Sequence, residues 1–325
     1  MAEYNRRVQL TGGATFIISL PHEWTNRNNI KKGNAIQIED LGNRLVLRKD
    51  SSSRDEITRI LDIGSNTPKE AIHRALTSYY IAGFDNLIVR SSSYMDEKAR
   101  SEIKSFSKLV MGVEIFEETA KSMMLQNVLD SSSFPMTKAF RRMALNVETM
   151  ITDTLRVLEE NDIELRKSVI SRDDEVDRYH FYMMKEVMKK SAEDHSVIFL
   201  LLLSRIMERI ADHTVNICLF LEANDEERHD NIDSDIIQYL KSSNDLFMKC
   251  VEQYNRKELA TLNSLIETRK VIIEGRNEIR ARVSGNSNLL SSSIAEEISR
   301  IGLYSIDIAE ILMDMVLSGV DEAKI

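Results

Sequence analysis

Ser204-Arg205-Ile206-Met207-Glu208-Arg209-Ile210-Ala211-Asp212-His213-Thr214-Val215-Asn216-Ile217 returns later in the chain as Ala295-Glu296-Glu297-Ile298-Ser299-Arg300-Ile301-Gly302-Leu303-Tyr304-Ser305-Ile306-Asp307-Ile308. Both copies space their apolar residues by three and four, the pattern of an amphipathic helix. Glu164-Leu165 likewise echoes Glu258-Leu259. A repeated unit of this kind buries its apolar face by stacking on its copy. Ahead of the first copy, Met136–Glu160 places Met143, Leu145, Val147, Met150, Ile151, Leu155 and Leu158 at helical spacing. Further helices are predicted over 164–194, 195–224, 233–256, 258–285 and 291–319. The economical architecture is a helical domain over 135–320, made of two three-helix units (135–224 and 231–320) packed as a bundle.

Upstream the pattern changes. Triple serines at Ser51–Ser53 and Ser131–Ser133 fall where it does. Serine competes with the backbone for hydrogen bonds and favours loops, so both tracts read as boundaries. Residues 1–50 are β-like: Arg7–Leu10 alternates, Gly12-Gly13 marks a turn, and Thr15–Leu20 forms a second strand ended by Pro21. A short helix around Trp24, the turn Lys32-Gly33-Asn34, and strands near Ala35–Glu39 and Arg44–Leu47 follow. Fifty residues of short strands bury too little surface alone, which calls for a second copy. Residues 54–130 read βαβαββ, with strands at Ile57–Ile63, Leu87–Arg90, Val113–Glu118 and Ser122–Gln126 and helices over 68–82 and 96–110. That module has no glycine-rich phosphate loop. The fold class is therefore multi-domain and mainly α.

Composition agrees. Apolar residues make up 42% and charged residues 29% of 325, so a real core is affordable and disorder is excluded. With 3 prolines and 11 glycines, long helices are favoured over a sandwich or barrel. Cys218 and Cys250 supply neither a disulfide framework nor metal-ligand spacing, and fit a reducing cytosol. The polar start MAEYNRRVQL lacks the apolar stretch of a signal peptide, and Val197–Leu203, the longest apolar run, is too short to span a membrane. A cytoplasmic protein without membrane insertion is expected. The net charge of −9 divides into +3 over residues 1–50 and −12 beyond, a weak pointer to an anionic partner at the head.

Two acidic pairs carry the candidate chemistry. Asp173 and Asp177 lie four apart on one helix, and Glu208 and Asp212 do the same on the next. Like charges at that spacing repel by a few tenths of a kcal/mol. Oxygen ligands from two facing helices would suit a hard cation, which would remove the repulsion. The competing reading is a solvated face neutralised by Arg172, Arg205 and Arg209. His213, beside Asp212, could add a nitrogen ligand, although a lone helical histidine is more often packed. No nucleophile accompanies a base anywhere, so the chain is not expected to be an enzyme.

On Val169-Ile170-Ser171-Arg172-Asp173-Asp174-Glu175-Val176-Asp177 and Glu208–Ile217, the helical half resembles the PhoU family of cytoplasmic phosphate-uptake regulators, which have two three-helix repeats. The resemblance implies metal at Asp173, Asp177, Glu208 and Asp212: a divalent or ferric ion such as iron, zinc or magnesium. The second repeat departs from the pattern, with Ser299 and Leu303 at the Glu208 and Asp212 positions. Thr268-Arg269-Lys270-Val271-Ile272 stands where the Asp-Asp-Glu-Val-Asp motif would be, so metal is expected at the first repeat alone.

The first fifty residues are similar to AbrB-type swapped-hairpin modules, from Arg6-Arg7-Val8-Gln9-Leu10-Thr11-Gly12-Gly13 through Leu20-Pro21 to Ile30-Lys31-Lys32-Gly33. That likeness implies an interlocked homodimer that binds DNA through Arg6, Arg7, Thr11, Arg27, Lys31 and Lys32. The pattern often places arginines where this chain has Gly13 and Thr25. The fusion of the two halves resembles a group of archaeal regulators. Two functions follow: a phosphate-responsive regulator bound to promoter DNA, or an interaction protein that docks on a phosphate transporter component or a sensor kinase without touching DNA.

Overall fold

The computed structural model describes residues 3–40, 42, 45–49, 56–130, 133–191, 194, 196–224, 233–282 and 289–319. Both serine tracts taken as boundaries lie wholly or largely outside these residues. The chain forms two compact units, Met1–Glu56 and Ile57–Ile325.

The first unit holds two antiparallel hairpins and one short helix. Strands β1 (Gln9–Thr11) and β2 (Thr15–Ile17) pair across Gly12-Gly13, both at positive φ as that tight turn requires. Helix α1 (His22–Arg27) follows Pro21, whose fixed φ suits a helix start. Strands β3 (Ile36–Asp40) and β4 (Leu45–Lys49) form the second hairpin. No described residue of this unit is buried, and Val8, Leu10, Phe16, Ile18, Ile38 and Leu45 all face outward.

The second unit begins with a four-stranded sheet in the order β5 (Thr58–Ile63), β6 (Asn86–Ser91), β8 (Ser122–Asn127), β7 (Val113–Glu118). β5 and β6 run parallel around the crossover helix α2 (Lys69–Ala82), while β8 pairs antiparallel with both neighbours. Helix α3 (Glu97–Leu109) joins α2 over the sheet, and their core includes Leu76, Tyr80, Leu87, Val89, Ile103, Phe106, Met123 and Leu125. Asp96 caps α3 by accepting from the Ala99 N–H at 2.8 Å. Buried Arg100 ties that end to the β7–β8 turn, donating to the carbonyls of Met95, Thr119 and Ala120 and to Glu118.

The helical body follows. Its first repeat has α4 (Met136–Glu160), α5 (Ile163–Ser171), α6 (Asp173–Lys190) and α7 (Val197–Ala223). The second has α8 (Ser234–Arg256), α9 (Leu259–Glu267), α10 (Arg269–Arg282) and α11 (Leu289–Leu317). The repeat is visible in the breaks. Asn161 and Lys257, both left-handed, end the opening helix of each unit. At the same interval, Arg172 and Thr268 split the middle helix in two. The predicted helices 164–194 and 258–285 are thus each two segments. The N–H of Arg172 reaches the carbonyls of Ser168, Val169 and Ile170, a tightened turn that no proline or glycine announces. Helix starts pair Ile163 with Leu259 and Asp173 with Arg269. The echo of Glu164 in Glu258, and of Asp173 in Thr268, was therefore out of register.

Helices α2 and α3 turn one side to the sheet and the other to α6, so sheet module and helical body are one unit. Phe181 of α6 packs on the sheet module's core, and the buried Lys185 ammonium sits 4.7 Å from the Tyr80 ring centroid and 5.5 Å from that of Tyr182. Leu145, predicted on the apolar stripe of α4, faces solvent. Cys218 and Cys250 are buried free thiols whose pKa values burial raises, to about 11 and about 12.

Gly112 links α3 to β7 at φ +71, and a Cβ there would lie 2.2 Å from that of Leu129. A left-handed non-glycine residue costs roughly 1–2 kcal/mol before any clash. Gly112→Ala is therefore expected to lower the unfolding free energy by more than about 2 kcal/mol, read by urea denaturation.

Candidate functional site

The break at Arg172 makes Asp173, Asp174 and Glu175 the first turn of α6, the end where a helix dipole favours carboxylates. Val176 and His180 of α6 are buried, as are Ser204, Met207 and Ala211 of α7. Asp177 and Glu208 thus meet at a packed seam and not on an open face. Asp173, Asp177 and Glu208 are half-buried, while Asp212 is exposed.

All four carboxyls are raised above their ordinary pKa, in each case mainly by desolvation. Asp173 is pushed to about 6 with help from Asp212, and Asp177 to about 7 with help from Asp173, Glu208 and Asp212. The structure therefore brings the four predicted acids into one electrostatic group spanning α6 and α7. Asp173 Oδ1 and Glu208 Oε2 are buried without a hydrogen-bond partner.

Of the three arginines expected to neutralise these acids, one pairs with them directly, while Arg209 acts on Glu208 and Asp212 through space. Arg205 Nη1 donates to Glu208 Oε1 at 2.8 Å. Arg172 turns to Asp153 at 2.6 Å, and Arg209 donates to the Tyr304 hydroxyl on α11. His213 also leaves the group: its Nδ1 lies 2.6 Å from Glu297 Oε2 and its ring stacks on Tyr304. It belongs to the contact between repeats, where Asn216 Nδ2 donates to the same Glu297 oxygen.

The donor set fits a hard cation by chemistry: oxygen ligands with surplus negative charge and two orphaned oxygens. As packed, no three His, Cys, Asp or Glu side chains among the described residues converge closely enough to hold an ion. In the second repeat Arg269, at the position of Asp173, donates to Glu310 at 2.8 Å and Asp307 at 3.3 Å. That helix end carries its own cation.

The six predicted DNA-contacting residues are all in the first unit and all exposed. Arg6 and Arg7 precede β1, Thr11 ends it, Arg27 closes α1, and Lys31 and Lys32 lead toward β3. Arg6 and Arg27 both bear electrostatically on Tyr4, whose hydroxyl donates to Glu23. An acid therefore sits among these cations.

A PhoU-domain profile matches residues 140–221, the stretch that contains the four carboxylates. Over that stretch the chain is similar to PhoU domains. Among solved structures, the phosphate transport system regulatory protein PhoU from Streptococcus pneumoniae aligns with 58% of this chain and 96% of its own, at 14% identity and a TM-score of 0.50. PhoU from Pseudomonas aeruginosa aligns with 56% of this chain and 96% of its own, at 17% identity and a TM-score of 0.40. The first of these likenesses gives the helical body the PhoU fold. Residues 9–55 match the profile of the antidote-toxin recognition protein MazE, a bacterial antitoxin. No curated protein matches the chain.

Charge at the PhoU-domain seam gives a pH prediction. Asp177 titrates near 3.8 when unfolded and near 7 when folded, so the folded state holds the extra proton between those values. Stability at this site falls as pH rises from about 4 to about 7, and the penalty is complete above that. Asp177→Asn should raise the melting temperature of chelator-treated protein at pH 8 and leave it little changed at pH 4. Equal effects at both would rule out charge as the cause.

Proposed function

We propose that this chain is a non-catalytic regulator of phosphate uptake that binds promoter DNA through a dimeric first unit and holds a metal ion on its PhoU domain. The observation that carries the reading is the coincidence of the PhoU match with the uncompensated carboxylates of the α6–α7 seam. The ion would rest on Asp173, Asp177, Glu208 and Asp212, where iron, zinc or magnesium would supply positive charge to the two orphaned oxygens. A cytoplasmic location accords with the absence, among the described residues, of any helix long and apolar enough to cross a membrane.

The homodimer rests on the first unit itself. An unburied module whose Phe16 is 75% exposed leaves its apolar side chains in water, and a second copy laid over them would bury both sets. The MazE match over the same residues supports an AbrB-like arrangement of this kind. Arg6, Arg7, Arg27, Lys31 and Lys32 then appear twice on one particle, with Thr11 among them, which suits a duplex with repeated phosphates. The second reading is docking on a phosphate transporter component or a sensor kinase, favoured by a body that carries −12 beyond residue 50.

Fluorescence anisotropy of labelled phosphate-gene promoter DNA, with the full chain and with residues 1–50 removed, separates the two. The expected outcome is salt-sensitive binding that the truncation abolishes, with Arg6→Ala plus Arg7→Ala weakening every sequence and flattening the salt slope. No binding at low salt would favour docking. For the metal, plasma mass spectrometry of purified protein should show a stoichiometric ion that Asp177→Asn with Glu208→Gln removes. Equal metal content in both proteins would place the ion elsewhere.

A further inference from the structure

Beyond the carboxylates the α6–α7 seam opens into an apolar groove of about 530 Å³. Phe181 and Met184 of α6, Leu201 and Leu202 of α7, and Ile81 at the end of α2 form its walls. Asp177, His180, Arg205 and Glu208 also line it, and all four are polar. The two helices run antiparallel, since Asp177 and Glu208 share the acidic seam while Leu201 lies toward the start of α7 and Met184 toward the end of α6. The apolar surface continues past the walls. Met188 lies one turn beyond Met184 and is 65% exposed, and Ile198 lies one turn before Leu202 and is 43% exposed. From Phe181 to Met188 the trough runs roughly 10 Å, about two turns of helix.

Among its described polar residues Arg205 is the one cation, set against the carboxyls of Asp177 and Glu208. The Ser204 hydroxyl lies 2.8 Å from the Leu201 carbonyl and 3.1 Å from His180 Nδ1. Burial keeps the His180 ring neutral, so it adds no positive charge to the groove. Arg205 satisfies Glu208 Oε1 and leaves Oε2 unpartnered. An apolar trough beside two carboxyls that share one cation, Arg205, matches an apolar helix face ending in a second cation. An ammonium, with three donors and no acceptor, suits the unpartnered Glu208 Oε2, and the Asp177 carboxyl on the same lining adds to the attraction.

We infer that this groove docks an amphipathic helix of a partner protein, two turns of apolar side chains followed by a lysine that meets Glu208. The inference rests on the docking reading of the same domain, applies to the form with no ion on Glu208, and is independent of DNA binding.

The test uses the full chain without DNA and with a chelator. A fluorescein-labelled, alanine-based helical peptide carries a leucine stripe and one lysine a turn beyond it, and its twin carries norleucine for that lysine. Saturable binding of the lysine peptide is expected, with the twin weaker by roughly tenfold. Leu202→Asp, at a half-exposed position, should abolish binding while thermal melting confirms that the protein is folded. Glu208→Gln should bring the lysine peptide down to its twin, and Val271→Asp, on exposed α10, should change nothing. Equal binding of the two peptides, or unchanged affinity in Leu202→Asp, would overturn the proposal. So would hexylammonium binding as tightly as the peptide, which would make the groove an amine pocket.

Discussion

Like charges brought together at a packed helix seam repel, and the α6–α7 seam gathers four carboxyls with a single direct counter-charge from Arg205. The helix dipole at the start of α6 offsets part of that cost for Asp173, yet desolvation outweighs it, because both α6 acids are raised far above a carboxylate's usual range. Much else depends on the same helix. Phe181 and Lys185, further along α6, meet the sheet module, so one rigid element carries the charged seam at its start and the module contact along its length. A change in charge at one end acts on a helix that the sheet module holds at the other.

The two repeats pack alike and are charged differently. Val176 and Ile272 are both buried, one turn into α6 and α10, and Ile210 and Ile301 are both buried on the closing helices. At the head of the split middle helix the first repeat has Asp173, while the second has Arg269 between Asp307 and Glu310. Burying apolar side chains fixes the architecture twice, and the polar residues at the seam decide what each copy answers to.

Much of this was legible in the sequence because period carries it. The alternation around β1 to β4, the order βαβαββ, the span Met136–Glu160 and the two-repeat plan all follow from apolar spacing. The breaks at Arg172 and Thr268 were not legible, since apolar spacing runs through both and neither residue is a helix breaker. Without the breaks, the alignment between repeats slipped and hid that Arg269 occupies the place of Asp173. His213 reads as a neighbour of Asp212, but successive residues on a helix point about 100° apart, so it serves the contact with α11. The groove could not be read at all, because Ile81 reaches it from the sheet module.

Arg269 has a consequence of its own. A guanidinium covalently attached to α10 cannot be chelated, diluted or exchanged, so the second repeat holds its positive charge at this corner permanently. The first repeat has no such tether at its corresponding position. The two halves of the helical body thus differ at one corner: the second has a tethered cation there and the first has a carboxylate.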